Sequence, residues 1–364
     1  MRILLLAKHL NTGGVTSYLL TLARGLKEKG CDVLMATSGG EREEDFKVMG
    51  CRTIQLDIDT KSEFNPRIYV ALGVLKKMVQ TEKIDIIHSH TRVTQIMGEI
   101  LSSQMKCVHV STCHGYFKPN VGRTLFPAWG KKTIAISKEV KNHLMNDFHQ
   151  PEKQIELIPS GVDVLQFEPI DASQKRNLRK KYGLGDENVI GIIARLSDVK
   201  GIDILIKAMS EVHKTYPKVK LLIVGEGKEE RFLKSLVNDL QLESCIQFLP
   251  IVNRTNEILS VLDIFVMPSR QEGLGLSIME AQASGLPVVA SNVGGIPTLI
   301  EHNVTGVLVI KESSEALADA LLDLLKDPDK RNRLGQAGRA FIVQHYSSPR
   351  MIEKTYQLYQ SLLN

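Results

Sequence analysis

The chain has 364 residues, 43% of them hydrophobic and 24% charged, which is typical of a soluble globular protein long enough for two domains. No apolar run approaches the length of a membrane span, and residues 1–10 turn polar too soon for a signal peptide. The net charge of +5 is diffuse and no recognition motif accompanies it, which argues against a nucleic-acid-binding protein.

Short apolar runs alternate with amphipathic stretches along the whole chain, which is the pattern of βα units and parallel sheets. In the first half, strands are predicted at 2–7, 32–37, 84–88, 107–112, 133–136 and 155–158, with another in RTIQLD. Helical periodicity is clearest at 16–28 and 66–80. The five cysteines are scattered without C-x-x-C spacing, which predicts reduced thiols in a cytosolic protein.

A second set of apolar runs begins after a polar, charge-rich stretch. These runs predict strands at 188–194, 219–224, 246–249, 263–267 and 287–290. Runs this uniformly apolar belong to strands that are covered on both faces, so two consecutive sets predict two doubly wound sheets. In such sheets ligands bind beyond the carboxyl ends of the strands, and the loops there are the place to look for function.

The domain boundary is expected within 160–187, where prolines and glycines interrupt the pattern. We therefore predict an N-terminal Rossmann-like domain at 1–163 and a C-terminal Rossmann-like domain at 164–345. Residues 346–364 are predicted to form one amphipathic helix that packs back toward the N-terminal domain.

The most informative motif is RQEGLGLSIME, directly after the predicted strand DIFVM. It places Glu272 and Glu280 eight positions apart, on either side of a Gly-Leu-Gly turn and the start of a helix. Glycines allow close backbone approach, free N–H groups at a helix start suit a phosphate, and a carboxylate can accept hydrogen bonds from vicinal ribose hydroxyls. An ordinary surface helix with acidic residues explains the spacing equally well.

A second motif, ARLSDVKG, follows the predicted strand at 188–194. Arg195 and Lys200 lie in one loop and could clamp a diphosphate, while Gly201 lets the next helix begin close to it. Two unrelated exposed basic residues in a loop would be the commoner outcome for such a pair in isolation.

In the first half, Gly13 and Gly14 follow the first strand and could bring backbone N–H groups toward a ligand, although a simple tight turn is equally compatible. Neither G-x-G-x-x-G nor a P-loop pattern is present. His114 follows the strand at 107–112 and is the better candidate for contacting substrate hydroxyls. For His88, at a strand end, a structural role is preferred.

Taken together and in order, these segments resemble the family-4 retaining glycosyltransferases of the GT-B type (glycosyl transferases group 1). The resemblance covers essentially the whole chain and rests on the GGV turn, His-Gly after a strand, AISK, IPSGVDVLQF, ARLSDVKG, VGEG, the two spaced glutamates and GLPVVASNVGGIPTLI. It implies two Rossmann-like doubly wound domains with a deep interdomain cleft. It also implies a hexosyltransferase-like, metal-independent enzyme, without a cofactor, that serves polysaccharide biosynthesis.

The resemblance assigns roles by position. Arg195 and Lys200 match residues that hold the donor diphosphate, Glu272 matches a carboxylate that contacts the transferred sugar, and Glu280 matches the ribose-binding carboxylate. Donor-binding positions in the turns are Gly13, Gly14, Gly225, Gly273, Leu274 and Gly275. His114 matches a histidine near the 6-position of the sugar. Ser160-Gly161 departs from the usual Asn-Gly, which puts little in doubt.

The implied reaction moves a sugar from a nucleotide-diphosphate sugar to a glycan or lipid-linked acceptor by a front-face mechanism. A UDP-sugar is favoured over a GDP-sugar, but the sequence does not fix the base, the sugar or the acceptor. A nucleotide-sugar epimerase of the GT-B type and an inactive sugar- or lipid-binding relative are the alternatives. Asp57-Ile58-Asp59 matches the D-x-D of metal-dependent transferases, but two sheets favour a surface turn there.

The protein is expected in the cytoplasm, and contact with the inner face of the membrane is left open. Residues 1–160 carry 22 Lys and Arg against 16 Asp and Glu, whereas the rest carry 24 against 25. The segment 116–132 interleaves aromatic and basic residues, which suits a membrane interface or a lipid-linked acceptor. A loop that packs on its own domain is an equally good interpretation of this segment.

Overall fold

The alternating apolar runs fold into two parallel sheets, each in its own unit of the chain. The computed structural model describes residues 1–60, 62–63, 65–119 and 121–364. Unit 1 comprises Met1–Gly161 together with Ser348–Asn364, and unit 2 comprises Val162–Ser347. The boundaries predicted from the sequence, after residues 163 and 345, each lie two positions from those of the structure, after residues 161 and 347.

Unit 1 contains a seven-stranded parallel sheet in the order β3-β2-β1-β4-β5-β6-β7. Its strands are β1 (Arg2–Leu6), β2 (Asp32–Thr37), β3 (Arg52–Gln55), β4 (Ile86–Ser89), β5 (Val108–Cys113), β6 (Lys132–Ala135) and β7 (Ile155–Leu157). Its helices are α1 (Gly14–Glu28), α2 (Glu43–Val48), α3 (Pro66–Glu82), α4 (Arg92–Gln104), α5 (Val121–Leu125), α6 (Lys138–Phe148) and, from the end of the chain, α14 (Ser348–Leu363).

Both faces of the unit 1 sheet are covered by apolar side chains, as the uniformly apolar strands predict. Helices α1 and α14 cover one face, where Tyr359 and Leu362 join the core formed by β1 and β2. Gly25 on α1 makes this packing possible, because a Cβ there would lie 2.1 Å from the Ile352 side chain. Helices α3 and α4 cover the other face.

Unit 2 contains a six-stranded parallel sheet in the order β10-β9-β8-β11-β12-β13. Its strands are β8 (Val189–Ile193), β9 (Lys220–Val224), β10 (Ile246–Leu249), β11 (Ile264–Met267), β12 (Val288–Ser291) and β13 (Val307–Val309). Its helices are α7 (Ala172–Lys181), α8 (Ile202–Thr215), α9 (Glu230–Asp239), α10 (Thr255–Val261), α11 (Leu276–Ala283), α12 (Ser314–Lys326) and α13 (Pro328–His345).

Two elements of unit 2 differ from the sequence prediction. Strand β13 is not predicted, because it is three residues long and lies at the sheet edge, where a short run carries little periodicity. The polar stretch at the boundary contains helix α7, which begins at a capping box formed by Asp171 and Gln174. Lys175 and Arg179 of this helix bond to Asp263 of the unit 2 core, so α7 is part of unit 2 rather than a linker.

Each sheet reverses its strand order at one point. In unit 1 the chain adds strands on one side of β1 and then crosses to β4, and in unit 2 it does the same between β8 and β11. The loops that follow these four strands therefore lie at the edges where doubly wound sheets bind ligands. No helix among the described residues is both long enough and apolar enough to span a bilayer.

Candidate functional site

At the reversal point of unit 2, the loops after β8 and β11 meet through a salt bridge. Nζ of Lys200 lies 2.5 Å from Oε2 of Glu272. Gly201 lets the two loops approach this closely, since it has a φ of 64° and a Cβ on it would lie 2.0 Å from the Pro268 carbonyl oxygen. The structure therefore brings together two side chains that the sequence had placed in separate motifs.

Arg270 fixes these loops, a role that the sequence did not reveal. Its guanidinium donates to both carboxylate oxygens of Asp203, at 2.9 Å each, and to the Asp198 carbonyl at 2.7 Å. Its backbone N–H donates to the Val199 carbonyl at 2.8 Å. The hydrogen bonds that the Asp203 carboxylate accepts raise the pKa of Arg270 further above its usual range. No sequence signal pairs an arginine after one strand with an aspartate at the start of a distant helix.

The loop after β9 packs directly on the backbone of the loop after β8. A Cβ on Gly225 would lie 2.0 Å from the Ala194 carbonyl oxygen, and one on Gly227 would lie 2.1 Å from that of Leu196. The Leu196 N–H donates to the Glu226 carbonyl at 2.9 Å. Gly225 thus has a packing reason to be glycine, in addition to the donor-binding role expected of it.

The turn from Glu272 to Gly275 leads into α11 and contacts the loop after β12. Gly275, with a φ of 108°, is the N-cap of α11, while Gly273 and Leu274 are buried. The Gly295 N–H donates to the Glu272 carbonyl at 3.1 Å, and a Cβ on Gly295 would lie 2.3 Å from the Gly273 carbonyl oxygen. The loops after β9, β8, β11 and β12, which are neighbouring strands, therefore form one surface at the carboxyl edge of the unit 2 sheet.

Glu280 is a buried carboxyl on the second turn of α11. Its exposed fraction is 9%, and its carboxyl group bonds to no described residue. Burial raises the pKa of Glu280 to about 8. A carboxyl group in this state is ready to accept hydrogen bonds from an incoming polar ligand, since it has no internal bonds to lose.

Arg195, in the loop after β8, has an exposed side chain. Within the part of the chain that the structure describes, its guanidinium forms no hydrogen bond or salt bridge. The loop itself is held by its backbone, since the Ala194 N–H donates to the Val224 carbonyl at 3.0 Å. The backbone of Arg195 is thus fixed, whereas its guanidinium has no partner among the described residues, in the same loop that carries Lys200.

In unit 1, Gly13 and Gly14 lie where α1 begins after β1. The backbone of Gly13 is extended, with a φ of 160°, and a Cβ added to it would meet no atom within 4 Å. The preceding Thr12 is held by its hydroxyl, which donates to Glu41 at 2.8 Å. Neither the fold nor local packing requires glycine at position 13, which leaves open space for a ligand there.

The histidines at the ends of β4 and β5 form a cluster. His88 is fully buried between the Thr112 hydroxyl, at 2.7 Å from its Nε2, and the Tyr359 hydroxyl of α14, at 2.5 Å from its Nδ1. His114 is partly buried, and its Nε2 lies 3.1 Å from Nδ1 of His90. The partnership of His90 with His114 was not predicted, although both follow neighbouring strands of the sheet.

The D-x-D pair lies on the surface after β3. Asp57 pairs with Arg67 at 3.3 Å and Asp59 with Lys8 at 2.9 Å, and both carboxylates are largely exposed. The two side chains thus lie on a surface turn and contact different basic residues. The described residues contain no group of three or more His, Cys, Asp or Glu side chains arranged to hold a metal ion.

The segment 116–132, of which residue 120 lies outside the described residues, is only partly a surface feature. Trp129 and Arg123 are buried, and the Arg123 guanidinium lies over the rings of Phe117, at 4.2 Å, and Trp129, at 5.0 Å. Desolvation lowers the pKa of Arg123 to about 10. Arg123 and Trp129 therefore belong to a loop that packs on its own domain. The apolar side chains of Val121, Leu125 and Phe126 remain exposed.

Two family models match this chain. Residues 174–341 match the model described as Glycosyl transferases group 1, and residues 12–165 match the model described as Glycosyltransferase Family 4. Both halves of the chain are thus covered by glycosyltransferase models.

Curated relatives and solved structures agree with these matches. N-acetyl-alpha-D-glucosaminyl L-malate synthase of Bacillus anthracis is 26% identical over 94% of this chain and 92% of its own length. The GDP-mannose-dependent monoacylated alpha-(1-6)-phosphatidylinositol monomannoside mannosyltransferase of Corynebacterium glutamicum is 39% identical over 57% of this chain and 56% of its own. The structure of Anabaena HepE in complex with UDP-glucose has a TM-score of 0.88 at 22% identity, over 99% of this chain and 100% of its own, a likeness of fold.

Proposed function

Because the chain belongs to the family-4 glycosyltransferases of the GT-B type, we propose that it transfers a sugar from a nucleoside-diphosphate sugar to an acceptor hydroxyl, with retention of configuration. Unit 2 binds the donor in this proposal, and unit 1 serves the acceptor. The observation that carries the proposal is the meeting of Lys200 and Glu272 at the reversal point of the unit 2 sheet. Arg195 belongs to the same loop as Lys200, Glu280 belongs to the helix that follows Glu272, and neither side chain has a partner among the described residues.

The four side chains match the parts of a nucleotide sugar. Arg195 and Lys200 are cations that suit the diphosphate, and the N-terminus of α11 adds backbone N–H groups to the same surface. Glu280 accepts hydrogen bonds from the ribose hydroxyls, and Glu272 accepts them from hydroxyls of the transferred sugar. Lys200 must then share or leave Glu272 when the donor enters, because the phosphate competes for the same ammonium group.

The reaction breaks the bond between the anomeric carbon and the diphosphate oxygen, and forms a bond from that carbon to the acceptor oxygen. Negative charge builds on the diphosphate as it leaves, so the charges of Arg195 and Lys200 stabilise the transition state more than the bound donor. The acceptor hydroxyl attacks on the face that the diphosphate leaves, and a phosphate oxygen takes its proton. No covalent enzyme intermediate and no metal ion are needed in this scheme.

The nucleotide base and the acceptor are the least constrained parts of the proposal. A UDP-sugar stays our prediction from the sequence, but a relative that is 39% identical over part of the chain is named GDP-mannose-dependent, so both bases must be tested. That same relative is named for phosphatidylinositol monomannoside, which favours a lipid-linked acceptor, whereas the Bacillus anthracis relative is named for malate, a small acid. A cytoplasmic location and contact with a membrane also stay predictions.

A thermal-shift screen of the full chain tests the proposal. UDP, GDP and ADP are compared with the free nucleosides and with inorganic pyrophosphate, because the site is expected to need both the ribose and the diphosphate. A ligand at a hundredfold its dissociation constant adds about 2.7 kcal/mol to the free energy of unfolding, which is readily measured. An unchanged melting temperature with every nucleoside diphosphate would refute donor binding.

Product analysis then separates transfer from the alternatives. With the matching nucleotide sugar and an acceptor, proton NMR should show a new glycoside whose anomeric configuration equals that of the donor. An epimerase would instead change the sugar without an acceptor and leave the nucleotide attached, and an inactive binding relative would not hydrolyse the donor even slowly. Activity that is lost in EDTA and restored by manganese would overturn the metal-independent scheme.

A further inference from the structure

The histidine pair in unit 1 carries an inference about how the proposed substrate contact of His114 is controlled. His90, at the end of β4, and His114, after β5, share one hydrogen bond of 3.1 Å between Nδ1 of His90 and Nε2 of His114. The ring of Tyr18 on α1 packs edge-on against His114, with 4.8 Å between ring centroids, and holds the pair from the helix side.

Both rings are neutral at physiological pH, so each carries a single N–H. Burial lowers the pKa of His90 well below its ordinary value and lowers the pKa of His114 to about 3. The shared hydrogen bond then has two possible arrangements. Either His90 donates from Nδ1 and His114 accepts at Nε2, or His114 donates from Nε2 and His90 accepts at Nδ1.

The other nitrogen of His90 decides between them. His90 is 3% exposed, and its Nε2 is buried without a hydrogen-bond partner among the described residues. If His90 accepted at Nδ1, its only proton would lie on Nε2 as a buried N–H without an acceptor. A buried N–H without an acceptor is rarer in folded proteins than an acceptor without a donor. The arrangement with the proton on Nδ1 avoids it.

We infer that His90 holds its proton on Nδ1 and donates it to Nε2 of His114, which fixes His114 as the Nδ1–H tautomer. The Nδ1 of His114 bonds to no described residue, and it is not fully buried. Its N–H can therefore reach a ligand. His90 is thus a positioning residue that makes His114 a hydrogen-bond donor, and not an acceptor, toward a sugar oxygen. The substrate contact rests on the proposed function, whereas the tautomers do not.

The tautomers can be measured without any ligand. In the full chain labelled with nitrogen-15 histidine, long-range proton–nitrogen correlation spectra distinguish Nδ1–H from Nε2–H rings. We expect the Nδ1–H pattern for both His90 and His114, unchanged between pH 6 and 8, with resonances assigned from single-histidine variants. An Nε2–H pattern for His114 would overturn the inference independently of any test of sugar transfer.

Two substitutions of His90 test its action through His114. His90→Asn can still donate from a position close to that of Nδ1, whereas His90→Leu cannot donate at all. We expect the leucine variant to give a mixed His114 tautomer and to lower kcat/KM about two- to tenfold, the value of one neutral hydrogen bond, and the asparagine variant to restore both.

The double variant provides the control for a merely structural effect. If His90 acts through His114, His90→Leu should have no further effect on kcat/KM in a His114→Ala background. Additive losses in the double variant, or a wild-type His114 spectrum in His90→Leu, would show that His90 does not position His114. Unfolding curves of the four proteins check that each remains folded.

Discussion

The two units have the same parallel architecture but use the carboxyl edges of their sheets differently. In unit 2, backbone hydrogen bonds and Arg270 hold the loops, and among the described residues the Arg195 guanidinium and the Glu280 carboxyl have no partner. In unit 1, the side chains at the edge are neutral and bond to one another, as His90 does to His114. The unpaired positive charge of Arg195 favours an anionic ligand, whereas the neutral hydrogen-bonded histidines select a ligand by the geometry of its hydrogen bonds.

This comparison predicts that removing a positively charged side chain from the unit 2 site causes the largest loss of activity. Arg195→Ala and Lys200→Ala should each lower kcat by about 10²–10³, the cost of removing one preorganised group that stabilises developing negative charge. Lys214→Ala is the matched control, because Lys214 is an exposed lysine of the same unit whose one salt bridge among the described residues is with Glu211. Near-normal turnover in both site variants would show that unit 2 does not neutralise the leaving group.

The next largest expected effect is the contribution of the Glu280 carboxyl to the pH dependence of the free energy of unfolding. Burial raises the pKa of this carboxyl to about 8 in the folded protein, whereas the unfolded chain loses the proton near the ordinary pKa of 4.5. The stabilisation is therefore complete below pH 4.5 and disappears as the pH rises through 8. Between pH 6 and 7.5 the Glu280 contribution should fall by about 2 kcal/mol, since each pH unit is worth about 1.4 kcal/mol.

Glu280→Gln serves as the control for this prediction. Its denaturant unfolding curves should lack that part of the pH dependence, and a wild-type slope in the variant would show that another group titrates. Nucleoside diphosphate binding adds a second readout, because hydrogen bonds from ribose hydroxyls favour the ionised carboxylate. Calorimetry in two buffers at pH 7 should therefore find more proton release with the wild type than with the variant.

The sequence predicted most of the fold because buried parallel strands are continuous apolar runs. It could not predict what depends on packing between distant segments. Arg270 was visible only as the first residue of a motif, and its bond to Asp203 joins a loop to the first turn of a helix 67 positions away. Arg123 and Trp129 have the composition of a membrane interface, yet stacking of the guanidinium on aromatic rings places both in the interior. Composition alone does not distinguish these two environments.

The burial of these two residues narrows the predicted membrane contact to the side chains of α5 that stay exposed. Leu125 has an exposed fraction of 79%, and Val121 and Phe126 lie beside it. If unit 1 contacts a membrane here, Leu125→Glu should reduce flotation of the full chain with anionic liposomes by about tenfold, because one leucine side chain leaves the interface and a negative charge enters it.

Val48→Glu is the matched control for this smallest effect, because Val48 is 80% exposed on α2 of the same unit. It introduces the same charge at another exposed apolar position, so a general electrostatic effect would lower flotation in both variants alike. Equal flotation of the wild type and Leu125→Glu would instead mean that unit 1 meets its acceptor in solution. The two units would then differ in the chemistry of the ligands that they bind, and not in contact with a membrane.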